Sequence, residues 1–566
     1  MPPPTGTPWL TTTEAAAVSL LAPAVLTPLA AYAADLAGVA FTPLPMAALA
    51  AMAFLFCGAL LFRRAKPDGV GLMLGAAAGA LLLAWLLWLS APSLLPLGTG
   101  PDLTHHLMLV RHIETHWRLV HDPALEQSLG EMAHYTPGSH ILVALAGAWS
   151  GTDGLRAMHG VQAWTVALKA VFLVAVCLRL LPPRAPRLLA ALGPVLLLES
   201  PRYFLGGFTE FGFLAQVVAE LPAVAMWWAL VAWADSRADL ALGVFGAAGA
   251  AAFLAWPVYV GPPALAAGVL IASRGRRPFA RRVRDLAVAF APLALVAAAF
   301  AIGRLGWLRL AGTGGLAPWP SIAAYGRPLV VLSATGLLVA AARERGRATA
   351  GFALAVLIQA AALCLVARRA GAPQPYMALK MGYLLLWPMA ACAVAAAGEA
   401  WAWLDRTVRV SRAWGNAVAL AVVAAALALA ARPLIAKPRL LHPRPPAVSL
   451  PLYEAGRWAR SHLPPSCVEY LVGDDETAYW LHLAVLGNPR ASARSADNST
   501  YEPADAIVRW LTPNGLPYAL VDLPALPRDV RAELDVMQSF GTAAIARRRG
   551  PSACAAAPRA DSPPIR

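Results

Sequence analysis

Charged side chains are scarce in this sequence: they make up 14% of its 566 residues, whereas 59% of the residues are hydrophobic. Apolar runs repeatedly reach the roughly 20 residues that a helix needs to cross a bilayer. This composition predicts a polytopic membrane protein. Acidic residues are fewer than basic ones, 31 against 46, but the arginines gather in short loops between the apolar runs. In such loops they set membrane orientation, so nucleic acid is not an expected partner.

Three further features are missing or rare. The N-terminus has no basic region followed by a short apolar core and a cleavage site, so the first span is interpreted as a retained anchor. No internal repeat is recognisable, which counts against a transporter built from repeated halves. Cysteines number only six, and four lie in apolar spans at spacings that match no metal motif: Cys57, Cys177, Cys364 and Cys392.

Apolar runs between helix breakers predict thirteen membrane spans. They lie near 15–37, 42–62, 70–94, 158–181, 187–199, 213–234, 240–257, 259–273, 285–303, 327–342, 349–367, 381–398 and 414–434. Basic residues fall in alternate short loops, which the positive-inside rule assigns to the cytoplasm together with the N-terminus. The C-terminus then lies outside the cytoplasm, as do the loops 95–157, 200–212, 304–326 and 368–380.

Composition changes near residue 437, where polar turns replace the apolar runs. We therefore divide the chain into a transmembrane domain, 1–436, and a small extracytoplasmic α/β domain, 437–566, joined by the Pro-rich segment 432–451. The tail beyond Cys554 has the composition of a disordered segment. Cys467 and Cys554 are the two cysteines outside the apolar spans, and both are predicted to face an oxidising compartment. They are expected to form a disulfide, the alternative being two unpaired thiols.

The first outer loop is unusually rich in histidine. Seven of the eleven histidines fall between residues 105 and 140: His105, His106, His112, His116, His121, His134 and His140. A helix over 102–118 places Asp102, His105, His112 and His116 along one edge, beside a separate apolar stripe. This pattern predicts an amphipathic helix on the outer membrane surface, with Asp102 positioned to meet a lipid phosphate. The alternative is that the histidines are solvated interface residues.

Three stretches of outer loop resemble a known group of enzymes. They are "GPDLTHH" (100–106), "YTPGSH" (135–140) and "PQPYMALKMGYLLLWP" (373–388). Together with the layout of spans from about 70 to 400, they are similar to the GT-C superfamily of membrane glycosyltransferases. That group includes protein O-mannosyltransferases and the aminoarabinose and arabinofuranose transferases. The resemblance implies an α-helical polytopic fold and transfer of a sugar from a polyprenyl-phosphate donor.

The resemblance also implies roles for particular residues. Asp102 would be the catalytic base or a ligand of a divalent cation, Mg²⁺ or Mn²⁺, which His105 would help to hold. His106 would contact the phosphate or support the metal, and Glu210 would be a second catalytic acid. Substrate binding would involve Lys380, Tyr376, Tyr383, His134, Tyr135 and His140. Leu103 follows Asp102 where many members have a second acid, so the base and metal roles both stay open.

Two charged residues, Lys169 and Glu220, lie inside predicted spans. Because a charge in the bilayer costs several kcal/mol unless it is paired or hydrated, we expect the two to form an ion pair that lines a cavity. The favoured function is transfer of a sugar to an envelope glycan, lipid or protein at the outer face of the cytoplasmic membrane. A transporter or lipid flippase is one alternative. A surface-polysaccharide polymerase or ligase with a diphosphate-linked donor is another, and it would carry more than one arginine at the outer site. An assembly partner of envelope enzymes is a third.

Overall fold

The protein is described from a computed structural model that covers residues 9–273, 278–303, 325–372, 374–488, 502–512, 515–549 and 554. Most of the predicted outer loop 304–326, residues 274–277 of one predicted basic loop and the tail beyond Cys554 lie outside the described residues. In chain order the helices of the first domain are α1 (Thr12–Leu36), α2 (Pro43–Phe62), α3 (Gly69–Leu89), α4 (Pro101–His116), α5 (Glu126–Leu129), α6 (Gly138–Trp149), α7 (Gly154–Leu180), α8 (Leu192–Leu197), α9 (Pro201–Phe204), α10 (Leu214–Ser236), α11 (Asp239–Ala255), α12 (Gly261–Ala272), α13 (Phe279–Gly303), α14 (Arg327–Ala342), α15 (Arg347–Arg369), α16 (Tyr376–Val408) and α17 (Arg412–Ile435).

The chain is a multi-pass membrane protein, as predicted. Among the described residues, nine helices are long and apolar enough to cross a bilayer: α1, α2, α3, α7, α10, α13, α15, α16 and α17. A bent pair, Arg187–Leu197 with Pro201–Glu210, makes a tenth span if its halves are counted together. The predicted spans 240–257, 259–273 and 327–342 correspond to α11, α12 and α14, which are helical but shorter than 18 residues. The expected count of thirteen is therefore not confirmed.

The helices differ in how much of their surface faces protein. Every residue in the apolar stretch of α10 is buried, and three of its tryptophans, Trp227, Trp228 and Trp233, are completely enclosed. In contrast, α2, α13 and α17 expose most of their apolar side chains. Because lipid tails solvate such side chains, these helices form the outside of the bundle and α10 forms its centre.

Ion pairs collect at one end of the bundle, where the predicted basic loops lie. The Arg179 guanidinium bonds Glu14 Oε2 at 2.9 Å through Nη2 and Asp235 Oδ2 at 3.0 Å through Nη1. Arg345 also reaches Asp235, with Nε 3.4 Å from Oδ1, and Arg187 bonds Asp68. The loops that the arginine pattern groups together are therefore close in space. Their assignment to the cytoplasm stays a prediction.

The predicted ion pair inside the bundle is confirmed. Lys169 Nζ lies 2.7 Å from Glu220 Oε2, 2.8 Å from the Tyr203 hydroxyl and 3.0 Å from the Val217 carbonyl oxygen. The Tyr203 hydroxyl also donates to Glu220 Oε2, at 2.6 Å. Neither charged side chain has any exposed surface, however, so the expectation that the pair lines a cavity is wrong. It is a packed and hydrogen-bonded core feature.

The second domain is a small α/β unit, as predicted. Its elements are α18 (Leu450–His462), β3 (Val468–Leu471), α19 (Asp475–Trp480), α20 (Pro503–Leu511), β4 (Tyr518–Asp522), α21 (Arg528–Ala532), β5 (Asp535–Phe540) and β6 (Ala543–Arg547); β1 (Leu10–Thr11) and β2 (Ala65–Lys66) form a separate short ladder in the first domain. The sheet order is β3-β4-β6-β5, with β3 parallel to β4 and the other pairs antiparallel. The sequence runs "CVEYLV", "YALVDL" and "TAAIARR" predict strands and supply β3, β4 and β6, whereas no such run corresponds to β5.

The predicted disulfide is confirmed: Cys467 and Cys554 are joined, with 5.7 Å between their Cα atoms. The bridge does not join neighbouring strands, because β4 lies between β3 and β6. The bridge therefore ties the start of β3 to a residue that follows a strand two positions away in the sheet.

The Lys169–Glu220 pair leads to a stability prediction. Lys169→Met leaves the Glu220 carboxylate buried without its cation and should lower the free energy of unfolding by about 3–5 kcal/mol. Adding Glu220→Gln should recover part of that loss, because it removes the unpaired charge. Thermal unfolding in detergent measures both, with Lys66→Met as a control at an exposed lysine. A single variant as stable as the wild type would contradict the structural role of the pair.

Candidate functional site

The helix α4 carries the acid and histidines of the outer loop, close to the predicted bounds of 102–118. Its apolar stripe is buried at Leu103, Leu107 and Val110. The covering surfaces are protein: α6 and α7 lie on one side, and the segment 481–485 of the second domain lies on another. The expectation of a helix resting on the membrane surface is therefore corrected, because α4 is enclosed between the membrane helices and the α/β domain.

Asp102 stands in the first turn of α4, where a carboxylate is favoured by the helix dipole. About 56% of its side-chain surface is exposed, and its Oδ2 lies 3.8 Å from His106 Nε2. Burial among surrounding protein raises the pKa of the carboxyl, but His106 and the charges of Lys380 and His105 outweigh it and hold that pKa well below its usual range. The carboxylate is therefore accessible to a small molecule while it lies close to the charges of His106 and Lys380.

A second histidine extends this contact inward. His106 Nδ1 is hydrogen-bonded to His140 Nε2 at 2.9 Å, and both rings are buried. The ring of Tyr135 packs against both, with centroids 5.0 Å from His106 and 5.6 Å from His140. Burial, together with the charge of His106, lowers the pKa of His140 well below its ordinary value. His140 is therefore neutral and can serve as a fixed hydrogen-bonding partner for His106.

His105 belongs to a different set of contacts. Its Nδ1 lies 2.9 Å from Glu131 Oε1, and its Nε2 lies 2.9 Å from the hydroxyl of Tyr479 in α19. The second domain thus reaches the proposed site directly. Both ring nitrogens are engaged, so His105 would have to leave one of these partners in order to bind a metal or a phosphate.

Lys380 lies in the first turns of α16 and is buried rather than extended to the membrane surface. Three aromatic rings surround its ammonium: Nζ is 3.3 Å from the centroid of Phe213, 4.6 Å from Tyr376 and 5.8 Å from Trp256. We call these three rings the Lys380 cage. Among the described residues Nζ has no hydrogen bond or ion pair, although Asp102 and Glu220 lie within electrostatic reach.

The remaining predicted residues fall in two places. Tyr376 belongs to the Lys380 cage, and Tyr383 follows Lys380 by one helical turn, with its ring centroid 6.1 Å from that of Phe213. Glu210 lies beside the same region, with Oε1 3.8 Å from Arg439 Nη1 and its carbonyl oxygen accepting from the Thr99 amide. His134 instead pairs with Glu126 on a partly exposed part of the loop.

The fit of a divalent cation can be judged from the available ligands. Within the described ranges, no three His, Cys, Asp or Glu side chains come together in a way that could hold a metal ion. Asp102 supplies a carboxylate, but the charges that act on it are those of His106, Lys380 and His105. A ligand set of this kind does not fit a resident Mg²⁺ or Mn²⁺, which prefer several oxygen ligands.

Several residues at the site were missed by the sequence reasoning. The second domain is fixed to the loop by Asp153, whose carboxylate accepts from the Tyr453 hydroxyl at 2.6 Å and from Arg460 Nη2 at 3.2 Å. Tyr479 was also missed, since 374 residues separate it from His105. Phe213 and Trp256 stand at the outer ends of apolar runs, a position typical of interfacial aromatics, which could have drawn attention to them.

Three solved structures are similar to this chain over most of its length. No protein-family model and no curated protein matches the sequence. The oligosaccharyltransferase of Archaeoglobus fulgidus, solved with a tethered acceptor peptide, is similar over 80% of this chain and 69% of its own, at 14% identity and a TM-score of 0.49. ArnT from Cupriavidus metallidurans is similar over 84% of this chain and 97% of its own, at 16% identity and a TM-score of 0.43. The mycobacterial arabinofuranosyltransferase AftD is similar over 84% of this chain and 41% of its own, at 17% identity and a TM-score of 0.49.

All three are GT-C glycosyltransferases.

The contact between Tyr479 and His105 can be tested directly. Tyr479→Phe removes one hydroxyl from a largely enclosed hydrogen bond, so the free energy of unfolding should fall by about 1–2 kcal/mol. Thermal unfolding of the purified chain measures this, and Tyr518→Phe, in β4 of the same domain, is the matched control. If both variants unfold like the wild type, the hydrogen bond does not hold the second domain on α4.

Proposed function

We propose that this protein is an integral-membrane glycosyltransferase that uses a polyprenyl-phosphate sugar at the outer face of the cytoplasmic membrane. One observation carries the proposal. A carboxylate on an open surface, Asp102, and an ammonium enclosed by aromatic rings, Lys380, lie within electrostatic reach of each other. In a glycosyl transfer, the carboxylate can take the proton of the acceptor hydroxyl and the ammonium can balance the charge on the departing phosphate.

Lys380 supplies the phosphate site. A buried ammonium is costly when it lacks a hydrogen-bonding anion, and the Lys380 cage offers only ring faces. A phosphate would provide the missing acceptor. The rings of Tyr376 and Tyr383 could then lie against the sugar or the prenyl chain.

Asp102 supplies the base. In the proposed step the acceptor hydroxyl oxygen forms a bond to the anomeric carbon while its proton passes to Asp102. The bond from that carbon to the phosphate oxygen breaks, and the phosphate leaves with the electron pair. Lys380 contributes to holding the pKa of Asp102 low, so a phosphate paired with Lys380 would weaken that effect and make Asp102 a stronger base once the donor is bound. His106 and His140 act as positioning residues for this carboxylate.

The acceptor is an envelope glycan, lipid or protein, and the second domain is placed to help bind it. Its segment 475–486 lies over α4, and Tyr479 contacts a residue three positions from Asp102. The transporter alternative drew on Lys169 and Glu220, but neither side chain is exposed to a passage. No observation therefore favours it over transfer.

The role of Asp102 leads to the first prediction on activity. Asp102→Asn keeps the size of the side chain but removes the base, so the rate of transfer should fall on the order of a hundredfold or more. Release of free polyprenyl phosphate from the donor in membrane vesicles measures transfer whichever acceptor the vesicles supply. Asp122→Asn, at an exposed acid of the same loop, is the control and should keep wild-type activity. Wild-type release by purified Asp102→Asn would remove Asp102 from the reaction.

The role of Lys380 leads to the second prediction on activity. Lys380→Ala should raise the KM for the donor at least about tenfold, and Lys380→Arg should restore part of the loss, because a guanidinium also pairs with phosphate and stacks on aromatic rings. The same release assay, run over a range of donor concentrations, separates KM from kcat. Equal kinetics for the wild type and both variants would show that the lysine only fixes the depth of α16.

A further inference from the structure

A polar side chain in the first turn of α10 has no part in the step described above. Gln216 is 3% exposed, and among the described residues neither Nε2 nor Oε1 of its carboxamide has a hydrogen-bond partner. Burying such a group without hydrogen bonds costs free energy, and the large majority of buried side-chain polar atoms in proteins are paired. The carboxamide of Gln216 is therefore suited to partners from outside the chain.

The backbone at the same point also offers hydrogen-bond donors. The first amides of a helix have no acceptor within it, and the residue before α10, Phe213, provides none from its side chain. Leu214 and Ala215, which open the helix, are both buried. An enclosed helix start needs another group to satisfy its amides, and a ligand is one such group. The start of α10 thus adds backbone donors to the unpartnered carboxamide.

Helix geometry places Gln216 next to the Lys380 cage. Residues three and four apart share a face of a helix, so Gln216 lies between Phe213 and Glu220 on one face of α10. The Phe213 ring is 3.3 Å from Lys380 Nζ. The Tyr259 hydroxyl donates to the Lys380 carbonyl oxygen at 2.8 Å and lies 3.4 Å from Glu220 Oε1. Because side chains on a helix tilt toward its N-terminus, the Gln216 carboxamide is directed to the end of α10 that Phe213 occupies.

The start of α10 also adjoins the start of α4, which carries Asp102. Gly212 stands two residues before α10, and Leu103 follows Asp102. These two residues are in close contact, because a Cβ atom at Gly212 would be 2.6 Å from Leu103 Cδ2. A sugar held between Lys380 and Asp102 would therefore lie beside the helix start that carries Gln216.

The chemistry of a carboxamide differs from that of the Lys380 ammonium. Its oxygen accepts hydrogen bonds and its nitrogen donates them, so a ligand that satisfies both must itself donate and accept. An ionised phosphate oxygen only accepts. A hydroxyl group does both, and neighbouring hydroxyls of a sugar can serve the oxygen and the nitrogen of one carboxamide at once.

We propose that Gln216 binds hydroxyl groups of the donor's sugar and thereby determines which sugar is transferred. This inference rests on the proposed function and names the residue that recognises the sugar while Lys380 holds the phosphate. A site built to hydrogen-bond a substrate hydroxyl strongly rejects an analogue that lacks it, because the buried polar group of the site is then left unpaired. Gln216 takes no part in bond breaking, so the proton transfer to Asp102 is unchanged.

The first test needs no ligand. Gln216→Met replaces an unpaired carboxamide by an apolar side chain of similar size, so the ligand-free chain should unfold at a temperature at least as high as that of the wild type. Gln359→Met is the matched control: Gln359 Nε2 donates to the Val258 carbonyl oxygen at 2.6 Å, and loss of this bond should lower the unfolding temperature. Thermal unfolding in detergent measures both. A clear fall for Gln216→Met would show that the carboxamide is bonded within the chain, which would overturn the inference.

Native mass spectrometry of the purified full chain tests the contact with the sugar. The probes are polyprenyl phosphate and the same lipid carrying mannose, glucose or arabinose. At least one sugar-linked lipid should bind the wild type about tenfold more tightly than bare polyprenyl phosphate. Gln216→Met should lose most of that difference and stay within about twofold of the wild type for the bare lipid, which also shows that it is folded. Gln538→Met, at an exposed glutamine of β5, should match the wild type for every lipid.

Deoxy versions of the best-bound lipid locate the contact. Removal of the hydroxyl that Gln216 binds should weaken binding to the wild type and leave binding to Gln216→Met unchanged, because the variant has already lost that hydrogen bond.

Equal losses for the bare and the sugar-linked lipids in Gln216→Met would overturn the inference, because the residue would then serve the phosphate or the fold. Equal affinity of the wild type for all four lipids would overturn it as well and leave the proposed phosphate site intact. If every deoxy sugar weakens the variant as much as the wild type, other residues contact the hydroxyls and the inference is wrong. Binding of none of the four lipids would instead contradict the proposed function itself.

Discussion

The positive charge of Lys380 is the feature around which the end of the bundle next to α4 is arranged. An ammonium enclosed by protein near the bilayer is expensive unless its surroundings compensate it. Here the rings of Phe213, Tyr376 and Trp256 face it, with Asp102 on α4 and Glu220 on α10 within electrostatic reach. Among the described residues its ammonium has no hydrogen-bonding anion, and this is why we propose it as the site of a donor phosphate.

A continuous set of polar contacts runs from the middle of the bundle to this site. Lys169 is bonded to Glu220, and the hydroxyl of Tyr259 donates to the Lys380 carbonyl oxygen at 2.8 Å while lying 3.4 Å from Glu220 Oε1. The buried pair therefore helps to fix the backbone of α16 where Lys380 projects. The second domain fixes α4 and the loop that follows it through Tyr479 and Asp153. Both charged groups of the proposed reaction are thus held by elements remote in sequence.

Local patterns were sufficient for part of this arrangement. Periodicity identified α4 and three of the four strands of the second domain, and charge in an apolar run identified the Lys169–Glu220 pair. Location relative to the membrane identified the Cys467–Cys554 disulfide. Each of these inferences needed only neighbouring residues or the sidedness of the chain.

What could not be predicted depends on contacts between distant segments. No feature near His105 in the sequence predicts its contact with Tyr479, and none near Glu210 predicts its contact with Arg439. Similarly, the apolar stripe of α4 predicts burial but not whether lipid or protein covers it. The number of spans was also uncertain, because an apolar helix such as α12 has the composition of a membrane helix without its length. Tertiary packing decides all of these features.

The most direct test of the account is a cryo-EM structure of the full chain in lipid nanodiscs with a polyprenyl-phosphate-linked sugar. We expect density for a phosphate within hydrogen-bonding distance of Lys380 Nζ, with the sugar lying between the Lys380 cage and the carboxylate of Asp102. A donor phosphate bound elsewhere on the chain, with no sugar beside the carboxylate of Asp102, would contradict the proposed function.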